Sequence, residues 1–230
     1  MTSEGIELLV LRSVENTLSK EAEALSQLAD QYKFDDDSRS RLTHFLGILK
    51  GVVQRNGRIY FVGVGKSLKL GSKLLATMNS LSISSQTLHA TEALHGDMGG
   101  LRENDAIILL SASGSTPELV QMLPYLHDPL PILLICCKKE CYLSSHPKVC
   151  GSIYAKLSDD LNENNMHGLP APTVSATLTL ALGDSVIMAL AEQLNSEIEE
   201  RKSMFLRNHP GGTIGVRSNG IHDGQVTKIK

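Results

Sequence analysis

The chain has 230 residues, of which 41% are hydrophobic, so it is long enough to bury one sizeable core. Its formal net charge is −3, and only 4% of its residues are aromatic. There is neither a basic stripe nor a set of stacking rings, so nucleic acid is not expected as a partner. We find no apolar run near the roughly 20 residues of a membrane span and no cleavable signal pattern at the N-terminus. A cytoplasmic protein without a membrane partner is expected.

The apolar residues of the first quarter of the chain recur at helical spacing over residues 4–31 and about 38–55, which predicts two leading helices. Short apolar runs then alternate with helical stretches, and these runs are IYFVGV, SSQTL, AIILLSA, PILLICC and SIYAKL. Apolar strands separated by helices are typical of a parallel sheet covered on both faces. We therefore predict a doubly wound, Rossmann-like α/β fold, a three-layer α/β/α sandwich with a roughly five-stranded parallel sheet.

The remaining chain predicts a long helix from Thr173 to about Leu194 and a polar helix ending near Arg207. Residues 1–215 are expected to form one domain, with residues 1–55 as its N-terminal helices and residues 216–230 as a polar tail. The four cysteines are interpreted as reduced thiols rather than zinc ligands or disulfides, because no CxxC pair exists. They are Cys136, Cys137, Cys141 and Cys150.

The segment GVGKS, residues 63–67, has the ending of a nucleotide triphosphate loop but not its spacing. Such a loop needs a glycine where Tyr60 stands, and a dinucleotide fingerprint needs one where Leu68 stands. What remains is a strand, a tight turn and a helix, whose free N–H groups and Lys66 suit a smaller anion. The alternative is an ordinary turn with a solvated lysine.

A second strand runs into a hydroxyl-rich loop, SASGSTPELV, and a helix that begins at Pro117. Hydroxyls around a glycine at a helix start can each donate to a phosphoryl oxygen without a metal. Two such turns in one parallel sheet strengthen this interpretation, because ligands bind at the carboxyl ends of strands where the winding reverses. The alternative is that Thr116 simply N-caps the helix and the other serines only fill the loop.

Five motifs in order carry a resemblance to a known family: GVGKS, TEALHGDMG, LSASGSTPE, APTVSATLTLALGDSVIMAL and NHPGGTIG. Over roughly residues 40–216 the chain resembles the sugar isomerase (SIS) domain of arabinose 5-phosphate isomerases. The resemblance implies interconversion of D-ribulose 5-phosphate and D-arabinose 5-phosphate through an enediol, without a cofactor, in a homotetramer with sites between subunits. Many members carry a pair of CBS domains after this domain. This chain ends before such a pair would fit, so it is expected to be either a short form or a truncated form.

The resemblance also implies roles for individual residues. Lys66 would stabilise enediolate charge, Glu118 would orient the substrate, and Glu163 would be the carbon base. Partial burial can raise the pKa of such a glutamate toward neutrality. His209, supplied by a neighbouring subunit, would catalyse ring opening or transfer protons to and from the sugar oxygens. The residues implied in phosphate binding, or in lining its pocket, are Ser67, Ser111, Ser113, Ser115, Thr116 and Thr173.

Three features depart from this pattern or remain open. Glu163 matches only with one residue inserted before Ala171, and Ser115 stands where the family commonly has Glu. His95 and Asp97 could bind a divalent metal, although such a pair more often forms structural hydrogen bonds. Two other functions stay open: a sugar-phosphate sensor without turnover, and an isomerase of hexulose or heptulose phosphates.

Overall fold

The computed structural model describes residues 3–211, and two long helices lead the chain as predicted. They are α1 (Ser3–Phe34) and α2 (Asp36–Gln54). Asp35 separates them, and its carboxylate accepts a hydrogen bond from Ser38 N at 3.1 Å, which caps the start of α2. The predicted tail of residues 216–230 and the end of the NHPGGTIG motif lie outside the described residues.

Five strands and six further α-helices follow in the described part of the chain, and every predicted apolar run overlaps one strand; β5 begins three residues before the predicted run SIYAKL. The strands are β1 (Ile59–Gly63), β2 (Ser85–His89), β3 (Ala106–Leu110), β4 (Ile132–Cys136) and β5 (Val149–Tyr154). The helices are α3 (Gly65–Ser80), α4 (Ala90–Ala93), α5 (Pro117–Met122), α6 (Glu163–His167), α7 (Val174–Leu194) and α8 (Ile198–Arg207). The short helix α6 has no counterpart in the sequence prediction.

The five strands form one parallel sheet in the order β2-β1-β3-β4-β5. The winding reverses between β1 and β3, which pair directly, with Val62 opposite Leu109. In open α/β sheets the crevice for a ligand lies at such a reversal, outside the carboxyl ends of the strands. The turns after β1 and β3 therefore meet at the place where a ligand site is expected.

The sheet is buried on both faces, which confirms the predicted three-layer α/β/α sandwich. Alternate residues of β1 point to opposite sides: Phe61 joins an apolar cluster with α2, α3 and α7, and Val62 joins one with α4 and α5. Every residue of β1, β3 and β4 is buried. This explains why these strands read as continuous apolar runs in the sequence.

Helix α7 corrects one expectation from composition. Val174–Leu194 is long and apolar enough to cross a membrane by length and composition alone, although no such run was predicted. In the fold it packs on α3 and on the sheet, with Leu178 and Leu190 fully buried. More than half of its most apolar window is buried, so α7 is a core helix here.

Candidate functional site

The turn after β1 presents Lys66 at the start of α3. Gly65 has φ +55, and a Cβ at Gly63 would lie 3.2 Å from Leu68 N, so both glycines let the helix begin tightly against the strand. Val64 precedes α3 and gives it no side-chain cap, so the first N–H groups of this 16-residue helix are open to a ligand. Within residues 3–211, Lys66 is exposed and pairs with no carboxylate.

Hydrogen bonds among its own residues hold the shape of the hydroxyl loop after β3, residues 111–116. The Oγ atom of Ser111 lies 2.7 Å from Thr116 Oγ1 and accepts a hydrogen bond from Gly114 N at 3.0 Å. Thr116 is the N-cap residue of α5, but its side chain makes no capping hydrogen bond, and its hydroxyl lies against Ser111 instead. Ser111 is buried, whereas Ser113 and Ser115 are exposed with their hydroxyl oxygens 3.3 Å apart. Ser111 thus shapes the loop that presents the other hydroxyls.

Residues of two other chain segments, Leu143 and Cys137, also form hydrogen bonds to the loop. Gly114 has φ +67, and its carbonyl accepts a hydrogen bond from Leu143 N at 2.9 Å. A Cβ at this position would lie 2.1 Å from Cys141 Sγ, so only glycine fits. Cys137 N donates to Ala112 O at 3.0 Å, which joins the loop to the end of β4.

Glu163, the predicted carbon base, is buried at the junction of α6 and α7. Its Oε1 atom accepts three hydrogen bonds: from Thr173 N at 3.1 Å, Ser175 N at 2.8 Å and Ser175 Oγ at 2.5 Å. Burial alone would raise the pKa of Glu163, but the hydrogen bonds from Ser175 and the backbone outweigh burial, and the pKa is lowered. The expectation of a pKa raised toward neutrality is wrong in direction, because these donors stabilise the carboxylate.

Two residues beside Glu163 were not assigned to the site from the sequence. The thiol of Cys137 lies 3.9 Å from Ser175 O, and burial, together with the nearby Glu163 carboxylate, raises the pKa of this thiol to about 11. His167 Nε2 lies 3.4 Å from Thr173 Oγ1. The signal that could have placed His167 here is its position in the same HGLPAPT segment that carries Thr173.

Glu118 and His95 lie on the other face of the sheet from α7. Glu118 is half-buried in the first turn of α5, and no other described residue bonds to its carboxylate. His95 is exposed just after α4, which packs on α5. Among residues 3–211 no group of three or more His, Cys, Asp or Glu side chains could hold a metal ion.

His209 lies far from Lys66 of the same chain. Its ring stacks on Phe205 with centroids 4.1 Å apart, and its Nε2 atom lies 3.3 Å from Ser80 Oγ. Ser80 ends α3 and Lys66 lies in its first turn, so most of the length of the helix separates them, on the order of 20 Å. Asn208 Nδ2 donates to Ser80 O at 3.0 Å, which fixes this segment at the far end of α3.

A separate cleft of about 790 Å³ lies beside the carboxyl ends of β4 and β5. Its walls include Cys137, Lys138 and Tyr154 and the C-terminal half of α1, and none of the predicted site residues lines it. Of the residues that the sequence singled out, Lys66 and the hydroxyl loop lie at the reversal point between β1 and β3, and Glu163 and Thr173 lie at the junction of α6 and α7. His209 lies apart from both, at the far end of α3.

Comparison with known proteins identifies the family of this chain. The SIS domain family matches residues 53–189, more than half of the chain. The chain belongs to the SIS domain family. Its sequence is 32% identical over 219 residues to the arabinose 5-phosphate isomerase KpsF of Escherichia coli, covering 94% of this chain and 61% of that relative. The chain thus spans about three fifths of the length of the curated relatives it matches.

Two solved structures share the fold of this SIS domain. A putative phosphosugar isomerase involved in capsule formation from Bacteroides fragilis is 26% identical with a TM-score of 0.72, over 85% of this chain and 96% of that one. A protein of E. coli CFT073 in complex with arabinose 5-phosphate is 27% identical with a TM-score of 0.65, over 87% of this chain and 97% of that one.

Proposed function

We propose that this protein is an aldose–ketose isomerase that interconverts D-ribulose 5-phosphate and D-arabinose 5-phosphate through an enediol. The observation that carries this proposal is the meeting of two turns at the reversal point of the sheet, one bearing Lys66 and the other the Ser111–Thr116 hydroxyls. The similarity to the E. coli arabinose 5-phosphate isomerase supports this substrate over hexulose and heptulose phosphates.

The phosphate of the substrate binds to the loop after β3. Ser113, Ser115 and Thr116 donate from their hydroxyls, while Ser111 closes the loop beneath them. Ser67, in the first turn of α3, adds a hydroxyl beside the open N–H groups of that helix. This binding uses hydrogen-bond donors and the positive end of α3 rather than a metal ion.

The chemistry is a transfer of protons between neighbouring carbon and oxygen atoms. The Glu163 carboxylate takes the proton from C1 of ribulose 5-phosphate, the electron pair of that bond forms C1=C2, and the C2 carbonyl oxygen is protonated. Reprotonation at C2 and loss of the O1 proton then give the aldehyde of arabinose 5-phosphate. Lys66 stabilises the charge on oxygen, His209 moves the oxygen protons, and Glu118 orients the sugar.

The site is completed between subunits of a homo-oligomer, with His209 supplied by a second chain. The distance along α3 between Lys66 and Ser80, which contacts His209, supports this arrangement, since one chain does not bring Lys66 and His209 together. The N-terminal half of α1 supports oligomerisation independently: seven large aliphatic side chains between residues 6 and 18 are 50–63% exposed. A patch of this kind on a soluble chain marks an interaction surface.

A turnover assay on a panel of pentose, hexose and heptose phosphates tests the proposal. Purified protein without added metal or nucleotide should form D-arabinose 5-phosphate from D-ribulose 5-phosphate with a higher kcat/KM than for any other sugar in the panel. Inorganic phosphate should compete with the substrate. Thermal stabilisation by the sugar phosphate without turnover would contradict the proposal and favour a sensor.

A further inference from the structure

All three hydrogen bonds that other described residues give to the Glu163 carboxylate end on one oxygen, Oε1, and two of them come from Ser175. Ser175 lies in the first turn of α7 and is only 6% exposed. Its hydroxyl and its N–H therefore grip the same oxygen atom at a fixed angle. A carboxylate held in this way cannot rotate without losing a buried hydrogen bond.

Ser175 is itself fixed from the opposite side. Its carbonyl accepts a hydrogen bond from Thr179 Oγ1 at 2.8 Å and lies 3.9 Å from Cys137 Sγ. Cys137 in turn donates its backbone N–H to Ala112 O in the hydroxyl loop. A continuous set of contacts thus runs from the loop through Cys137 and Ser175 to Glu163.

We propose that Ser175 is a positioning residue, which holds Oε1 of Glu163 so that the second carboxylate oxygen, Oε2, is the one presented to the substrate carbon. This inference rests on the proposed isomerase function and deepens it, because it assigns a role to a side chain that need not touch the sugar. The two oxygens then have separate tasks: Oε1 fixes the orientation, and Oε2 moves the proton between C1 and C2.

The groups around Glu163 determine how far its pKa changes when the Ser175 hydroxyl is lost. The titratable groups beside the carboxylate are the Cys137 thiol, which is protonated at neutral pH, and His167, which lies against Thr173. No lysine or arginine within residues 3–211 bonds to Glu163, so hydrogen bonds are what keep its pKa low. Removing the shortest of them should raise this pKa and loosen the carboxylate.

The test compares Ser175→Ala with Ser185→Ala, a matched control that removes an exposed hydroxyl from the same helix. We expect Ser175→Ala to lower kcat about tenfold to a hundredfold, to leave KM within about twofold, and to move the acid limb of the kcat/KM profile to higher pH. Ser185→Ala should match the wild type in all three.

A second pair of variants guards against a folding defect in Ser175→Ala. Ser175→Thr keeps the hydroxyl, and Ser175→Val has the shape of threonine with a methyl group in place of that hydroxyl. At equal secondary structure by circular dichroism, Ser175→Thr should therefore retain more of kcat than Ser175→Val. If the wild type is active and removing the hydroxyl changes neither kcat nor the acid limb, Ser175 is only structural and the inference fails alone. If the wild type turns over no sugar phosphate, the proposed function fails and this inference with it.

Discussion

The shape of the hydroxyl loop depends on Gly114. Its φ of +67 and the 2.1 Å approach of a Cβ to Cys141 Sγ leave no room for a side chain. We expect Gly114→Ala to lower the free energy of unfolding by about 1–3 kcal/mol and to raise KM for the sugar phosphate severalfold. Urea unfolding and initial-rate kinetics measure the two effects.

Gly47 provides the matched control for that substitution. It lies inside α2, and a Cβ there would meet nothing within 4 Å. Gly47→Ala should therefore stabilise the protein by about 0.5–1 kcal/mol and leave KM unchanged. Equal effects of the two glycine substitutions would show that the loop does not need the left-handed conformation at Gly114.

The sequence could nominate residues for the proposed site but not the protonation state of each. Glu163 was singled out as a carboxylate, yet the direction of its pKa shift was predicted wrongly. The donors that lower it come from Thr173 and Ser175, ten and twelve residues further on, and they meet Glu163 only because α6 turns the chain back onto α7. A short helix such as α6 leaves too little periodicity for sequence analysis to detect.

At the level of single elements, α1 has two distinct halves. Its C-terminal half packs on the body of the protein through Ala24 and Leu28, which are buried. Ile6, Val10 and Val14 continue the same face into the N-terminal half, spaced four residues apart, and there they are exposed. Such a ridge of residues at i, i+4 and i+8 can pack into the groove of a second helix.

A charge on this ridge should weaken the oligomer. We expect Val10→Glu to shift the mass measured by size-exclusion chromatography with light scattering toward smaller species, because an unpaired carboxylate would be buried between helices. Arg12→Glu is the control, since it adds negative charge two residues on and about 200° around the helix. An unchanged mass for Val10→Glu would place the subunit contact elsewhere.

Most elements could be predicted from the sequence because the pattern that defines them is local. Strands β1, β3 and β4 are buried on both faces and so appear as unbroken apolar runs, and Pro117 marks the start of α5. The apolar stripe of α7 likewise favours core packing, and the structure buries most of it: Leu178, Leu182, Ile187 and Leu190 are buried, and Leu180 is partly buried. Composition alone would suit a membrane as well as a core, and the contacts of α7 with α3 and the sheet show that it is a core helix.

On the scale of the whole molecule, the strand order places the turns after β1 and β3 side by side, but His209 lies at the opposite end of α3. Neither the order of the strands nor the position of His209 could be predicted from the pattern of apolar residues. Both depend on how distant segments pack. The central claim of our account is therefore that sugar-phosphate isomerisation takes place at a site shared by two chains.

Complementation between two inactive variants tests this claim most directly. Lys66→Met and His209→Ala should each be nearly inactive alone, because every site in either homo-oligomer lacks one group. After the two are unfolded and refolded together, about a quarter of the sites should combine an intact Lys66 with an intact His209 if mixing is random. Formation of D-arabinose 5-phosphate from D-ribulose 5-phosphate, followed by NMR, should then recover to about a quarter of the wild-type rate. Hybrid oligomers that form, as shown by mass, and yet stay inactive would contradict the shared site.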